Sequence, residues 1–260
     1  MPDHDDFGGI SRDLPRLLGR RRLLGLLAGA GALAVAGCGA AATTSSSAST
    51  TAAASSGEIP QETAGPFPAD GSNGPNVLDD AGIVRRDIRS SFGGSTTVAE
   101  GVPLAITLNL TRDGAPLAGA AVYLWHCDRA GNYSLYSRGV TGENYLRGVQ
   151  ETDAAGAVRF TSIFPACYSG RWPHAHFEVY ESLGKATSSG NAISTSQLAL
   201  PKDVCDTVYA TAGYEQSIRN LSQVSLTSDN VFRDDGAARQ LATTAGSVAA
   251  GYTATLAVPV

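Results

Sequence analysis

The chain reads as an all-β protein, an antiparallel β-sandwich or flattened barrel with short helical or irregular segments. Three observations predict this. Short runs rich in β-branched and aromatic residues recur from Val102 onward, Asp-Gly and Ala-Gly turn signals separate them, and no run of helical period between Val102 and Tyr180 exceeds the strands in length. No self-similar period of about 20–50 residues is present, which argues against a propeller or solenoid.

The first quarter of the 260 residues reads as export signal and tether. Arg12 and Arg16 precede Arg20, Arg21 and Arg22, and "LLGLLAGAGALAV" then supplies an apolar run of signal-peptide length, short for a bilayer span. "RRRLLG" fits a twin-arginine signal loosely. "VAGC", residues 35–38, resembles a bacterial lipobox in which Cys38 is lipidated; the plainer reading is a cleavage site that contains a cysteine. The expected organisation is a signal peptide over residues 1–38, a flexible Ala/Ser/Thr linker over 39–57, and one folded domain over 58–260. Such a chain is expected outside the cytoplasm, extracellular or as a cell-surface lipoprotein, with membrane contact only through Cys38.

Within the domain, "PLAITLNL", "AAVYLWHC" and the turns "TRDGAPLAG" and "DRAGNY" read as successive strands and reversals. "VQETDAAGAVRFTSIF" reads as a hairpin with Gly156 in its turn, so the whole is expected to be a hairpin meander. "HAHFEVYESL" and "SQLALP" continue it, Lys202 to Leu221 reads as helix or irregular chain, and "GSVAAGYTATLAVPV" as one closing strand. The net charge of −5 and the absence of a basic cluster beyond the N-terminal region exclude a nucleic-acid partner. Outside a reducing compartment two of Cys127, Cys167 and Cys205 can pair, leaving one over, and the sequence does not say which.

The chemistry concentrates in "CYSGRWPHAH", residues 167–176. In a strand, residues two apart share a face, so His174 and His176 can converge on one metal ion. Glu178 shares that face, but four residues of regular strand span roughly 13 Å, too far for the same ion without a bulge. Tyrosine is the better donor: Tyr168 sits in the loop before the strand, and Tyr133 ends the turn "DRAGNY". A phenolate is a hard anionic oxygen suited to ferric iron, and two histidines with two tyrosinates leave a coordination position open. Trp125 and Tyr123 read as core, and His126 has no assigned role.

"PLAGAAVYLWHCDRAGNY" followed by "ETDAAGAVRFTSIFPACYSGRWPHAHFEVY" resembles the core of the intradiol ring-cleavage dioxygenases, and "ETAGPFPADG" resembles their N-terminal segment. The resemblance runs to about Leu200. It implies non-haem Fe(III) held by Tyr133, Tyr168, His174 and His176, and cleavage of catechols between their hydroxyls by O2 to cis,cis-muconate-type products. It further implies that Tyr168 acts as a base on the catechol, that Arg171 lies beside the ring, and that Gln197 lies near the reacting carbons. Members are often dimers, which leaves a homodimer open without identifying an interface. Phe67 stands where the N-terminal segment often has a phenol, and Cys167 where proline or glycine is usual, the latter suggesting a disulfide at the Tyr168 loop. Two rival readings stay open: an exported non-enzymatic β-sandwich binding module with incidental metal capture, and a zinc hydrolase built on His174, His176 and Glu178.

Overall fold

The structure is a computed structural model and describes residues 57–260. The expected signal peptide, the Cys38 lipobox and the linker up to residue 56 lie outside the described residues. Nine strands and two α-helices make up the regular part of the described residues: β1 Pro103–Arg112, β2 Ala115–Pro116, β3 Ala121–Trp125, β4 Arg147–Glu151, β5 Ala157–Ile163, β6 His174–Tyr180, β7 Ser194–Ala199, α1 Lys202–Tyr209, α2 Glu215–Leu221, β8 Thr243–Ser247 and β9 Gly251–Pro259. They form two packed sheets. One runs β2-β1-β9-β8 with β5 also on β1; the other runs β4-β3-β6-β7.

Alternation explains the packing. In β1, Leu104, Ile106, Leu108 and Leu110 are buried, and in β9 Tyr252, Ala254, Leu256 and Val258, so each strand turns one face to the centre. Val122, Leu124, Phe177, Val179 and Leu198 meet them from the second sheet. Strands β3 and β6 are buried at every residue, because the outer face of their sheet is covered as well. Tyr123, Trp125, Val149 and Tyr180 on that face pack with Ala69, Val77, Leu78, Ile83 and Tyr133 in a second apolar cluster. The histidines lie on this covered outer face.

Three expectations need correction. "VQETDAAGAVRFTSIF" is no hairpin: β4 pairs β3 while β5 pairs β1, so the turn at Gly156 carries the chain from one sheet to the other. Gly156 there has φ +73°, and a Cβ would stand 2.3 Å from the Leu110 carbonyl oxygen, so the crossing requires glycine. The closing segment is a β8–β9 hairpin, and β9 runs parallel to β1, so the first sheet is mixed.

The third correction concerns the cysteines. Cys127, Cys167 and Cys205 are all buried and all free. Two of the thiols point at backbone carbonyls, Cys127 at Ala166 and Cys167 at Arg171, and burial pushes all three pKa values up, so they pack as small hydrophobes. His126 bridges the sheets. Its Nδ1 donates to the Cys127 carbonyl at 2.7 Å, its Nε2 accepts from Ser162 Oγ at 2.6 Å, and burial lowers its pKa to about 4.

Candidate metal and substrate site

His174 and His176 open β6 and point to the outer face, while Ala175 and Phe177 between and after them enter the core. Their ring centroids are 4.7 Å apart and their Nε2 atoms 3.0 Å apart. His174 Nδ1–H donates to the Trp172 carbonyl, which leaves a lone pair on its Nε2. Tyr168 brings its Oη to 3.2 Å from that same nitrogen. Tyr133 closes the group: its ring lies 5.9 Å from Tyr168 and 6.2 Å from His176, and its buried Oη has no hydrogen-bond partner.

The four sequence-derived ligand candidates therefore come together. Burial, with neighbouring Arg171 and for His176 the facing His174 ring, holds both imidazoles well below their ordinary pKa. Burial also pushes Tyr133 up, helped by the Tyr168 phenol, and pushes Tyr168 up to about 12 against the pull of Arg171. At neutral pH the metal-free group thus holds two neutral imidazoles and two protonated phenols. An orphaned phenol and a facing imidazole lone pair suit a small, highly charged cation, which would ionise the phenols and gain two negative charges. Glu178 takes no part: Tyr180 donates to its carboxylate at 2.6 Å, and burial raises its pKa to about 8.

Arg171 and Gln197 lie together beside the histidines. Arg171 Nη2 donates to Gln197 Oε1 at 2.6 Å, and Nε to Asp229 Oδ2 at 2.9 Å. Gln197 pairs with His176 in the β6–β7 register, and its Nε2 donates to the Thr63 carbonyl at 2.9 Å. Asp229 is fully buried; it also accepts from the backbone N–H groups of Trp172, Val231 and Phe232. Sequence reasoning missed Asp229, because nothing local in "TSDNVF" announces a partner 58 residues away. It also missed that Trp125 does more than fill core: its ring stacks on His176 at 5.0 Å and 5° and fixes the ring plane.

The N-terminal segment crosses over the group. Phe67 packs on Tyr133 at 5.0 Å, and Gly65 lies directly above His176. Gly65 has φ +72°, and a Cβ there would sit 3.2 Å from His176 Cε1. Gly65→Ala is expected to cost about 1–2 kcal/mol from the left-handed backbone alone, and to tilt His176. Thermal unfolding of the metal-free protein checks the first effect and metal loading the second; unchanged values for both would remove Gly65 from the site.

The Dioxygenase family model matches residues 74–189, which contain Tyr133, Tyr168, Arg171, His174 and His176. The catechol 1,2-dioxygenase 2 of Acinetobacter lwoffii is 42% identical over 57 residues, 22% of this chain and 20% of that protein. The chlorocatechol 1,2-dioxygenase of Rhodococcus opacus is 36% identical over 55 residues, 21% of each. The aligned part of the chain thus spans about a fifth of the length of these curated relatives. Among solved structures, the intradiol ring-cleavage dioxygenase from Tetranychus urticae matches 78% of this chain and 94% of its own at 23% identity, with a TM-score of 0.59, and shares the fold. Over residues 74–189 the chain is thus similar to the Dioxygenase family, and the described residues share the fold of an intradiol ring-cleavage dioxygenase.

Proposed function

We propose that the protein is a non-haem ferric dioxygenase that opens catechols between their two hydroxyls with O2, giving cis,cis-muconate-type products. The observation that carries this reading is the convergence of His174, His176, Tyr168 and the partnerless Tyr133 phenol at one buried point. The names of the curated relatives, a catechol and a chlorocatechol 1,2-dioxygenase, support the substrate class.

Tyr133, Tyr168, His174 and His176 would hold the iron. Bound ferric iron supplies Lewis acidity that acidifies both catechol hydroxyls and makes the ring electron-rich toward O2. Tyr168 is the less enclosed phenol, and its high proton affinity suits it to take a catechol proton. Tyr133 is enclosed by Phe67 and stays in place. Arg171, fixed by Asp229 and Gln197, offers its remaining N–H groups to negative charge on the ring, in a site where such a charge is worth far more than in water. Gly65, Phe67 and Trp125 exclude solvent.

The test is a visible absorption spectrum of the purified protein with its iron content, before and after anaerobic addition of catechol. A tyrosinate-to-iron band that shifts with catechol is expected, and O2 uptake should follow on aeration. A protein that stays colourless after ferric reconstitution would sink the proposal and favour the non-enzymatic binding module. Loading from a ferric chelate at neutral pH should also release about one proton more per ferric ion in the wild type than in Tyr133→Phe, since that phenol starts protonated; a pH-stat titration of the pair measures the difference.

We further propose an exported location with a lipid anchor at Cys38, on the strength of the N-terminal residues. Cell fractionation tests it, and activity confined to the cytoplasm would overturn it.

A further inference from the structure

Arg147 begins β4 opposite Trp125 and is 1% exposed. Its guanidinium donates five hydrogen bonds: Nε to Ser134 Oγ at 3.0 Å, Nη1 to the Pro68 carbonyl and to Tyr123 Oη, both at 3.0 Å, and Nη2 to the Phe67 carbonyl at 3.0 Å and the Ser134 carbonyl at 2.9 Å. All its acceptors are carbonyl or hydroxyl oxygens. A buried cation without a carboxylate costs stability that an apolar residue of similar size would not, so the position does something that packing alone does not explain.

The bonds converge on one neighbour. Ser134, which receives two of them, directly follows Tyr133. Phe67 and Pro68, which receive two more, carry the ring that packs on Tyr133 at 5.0 Å. The Tyr133 oxygen makes no close hydrogen bond and has the Tyr168 phenol as its polar neighbour, so backbone position and ring packing largely set where it points. One guanidinium grips both. Lysine, with three donors on a point charge, cannot span loop and strap together.

We propose that Arg147 is a positioning residue that aims the Tyr133 phenol by tying the loop after it and the N-terminal strap over it into one fork. The proposal rests on the ferric reading above. It predicts an effect on the metal rather than on stability alone. Arg147→Lys is expected to shift the tyrosinate-to-iron band and to weaken ferric binding by about 10–100-fold, the range typical of groups that orient metal ligands. Leu108→Ala, a cavity in the distant sandwich core, is the comparison: it should lower the melting temperature and leave band and affinity unchanged.

If Arg147→Lys matches Leu108→Ala in band position and iron affinity, the positioning role is overturned. Should Arg147→Lys fail to fold, Ser134→Ala and Tyr123→Phe each remove one side-chain acceptor of the fork. Both are expected to move the band in the same direction by less, and an unmoved band in both overturns the role. A wild-type protein with no tyrosinate band overturns the ferric reading and the positioning role with it; a normal wild-type band with unaffected variants overturns the positioning role alone.

Discussion

Tyr133→Phe is expected to leave the metal-free protein as stable as the wild type, or more stable by about 1 kcal/mol, while weakening and shifting the iron band to what Tyr168 alone contributes and abolishing nearly all turnover. The sign comes from the orphaned oxygen. Tyr133 Oη is buried without a partner, and burying an unsatisfied hydroxyl costs on the order of 1–3 kcal/mol that phenylalanine would not incur. The ring contacts with Phe67, Tyr168 and His176 survive the change. A tyrosine kept for structure would show the opposite pattern, with lost stability and intact chemistry. Chemical denaturation of metal-free protein, beside iron titration and O2 uptake, separates the two. Full iron loading with an unchanged spectrum in Tyr133→Phe would remove Tyr133 from the ligand set.

Arg171→Ala should keep ferric binding and lose about 10²–10³ in turnover, the typical cost of removing one preorganised donor from developing charge. The single variant carries a second effect. It takes the cation from the fully buried Asp229 carboxylate, which keeps three backbone N–H donors, and breaking a buried pair on one side costs at most about 3–5 kcal/mol. Asp229→Asn alone should lower stability and slow turnover with the iron band unchanged, since the guanidinium stays but loses its anchor. The double variant Arg171→Ala/Asp229→Asn should recover part of the stability lost in Arg171→Ala and none of its turnover. Wild-type rates in Arg171→Ala would end its role at the ring. Recovery of rate with stability in the double variant would show that the loss came from the stranded carboxylate.

The site was legible wherever its logic is local. A strand puts His174 and His176 on one face whatever packs around it, and the same geometry places Glu178 too far along, where it bonds Tyr180 instead. The tyrosines were legible by donor chemistry and by resemblance together. Asp229 and Arg147 were not: each is defined by partners 58 and up to 80 residues away, and a lone Asp or Arg in sequence looks like surface charge. The hairpin at Gly156 was misread for a related reason. Two alternating strands joined by a tight turn look the same whether they pair with each other or enter opposite sheets.

What the residues dictated unaided was therefore the strand-rich class, the paired imidazoles and the turn glycines, since these follow from backbone sterics and a side-chain period of two. Folding alone decided the rest. It selected which sheet each strand joined, left three cysteines as packed thiols, and buried the outer face of β3 and β6 beneath the N-terminal strap. That burial raises the phenols, lowers the imidazoles and leaves one hydroxyl without a partner. Desolvation and long-range hydrogen bonding depend on what the whole chain places around a group, which no stretch of sequence contains.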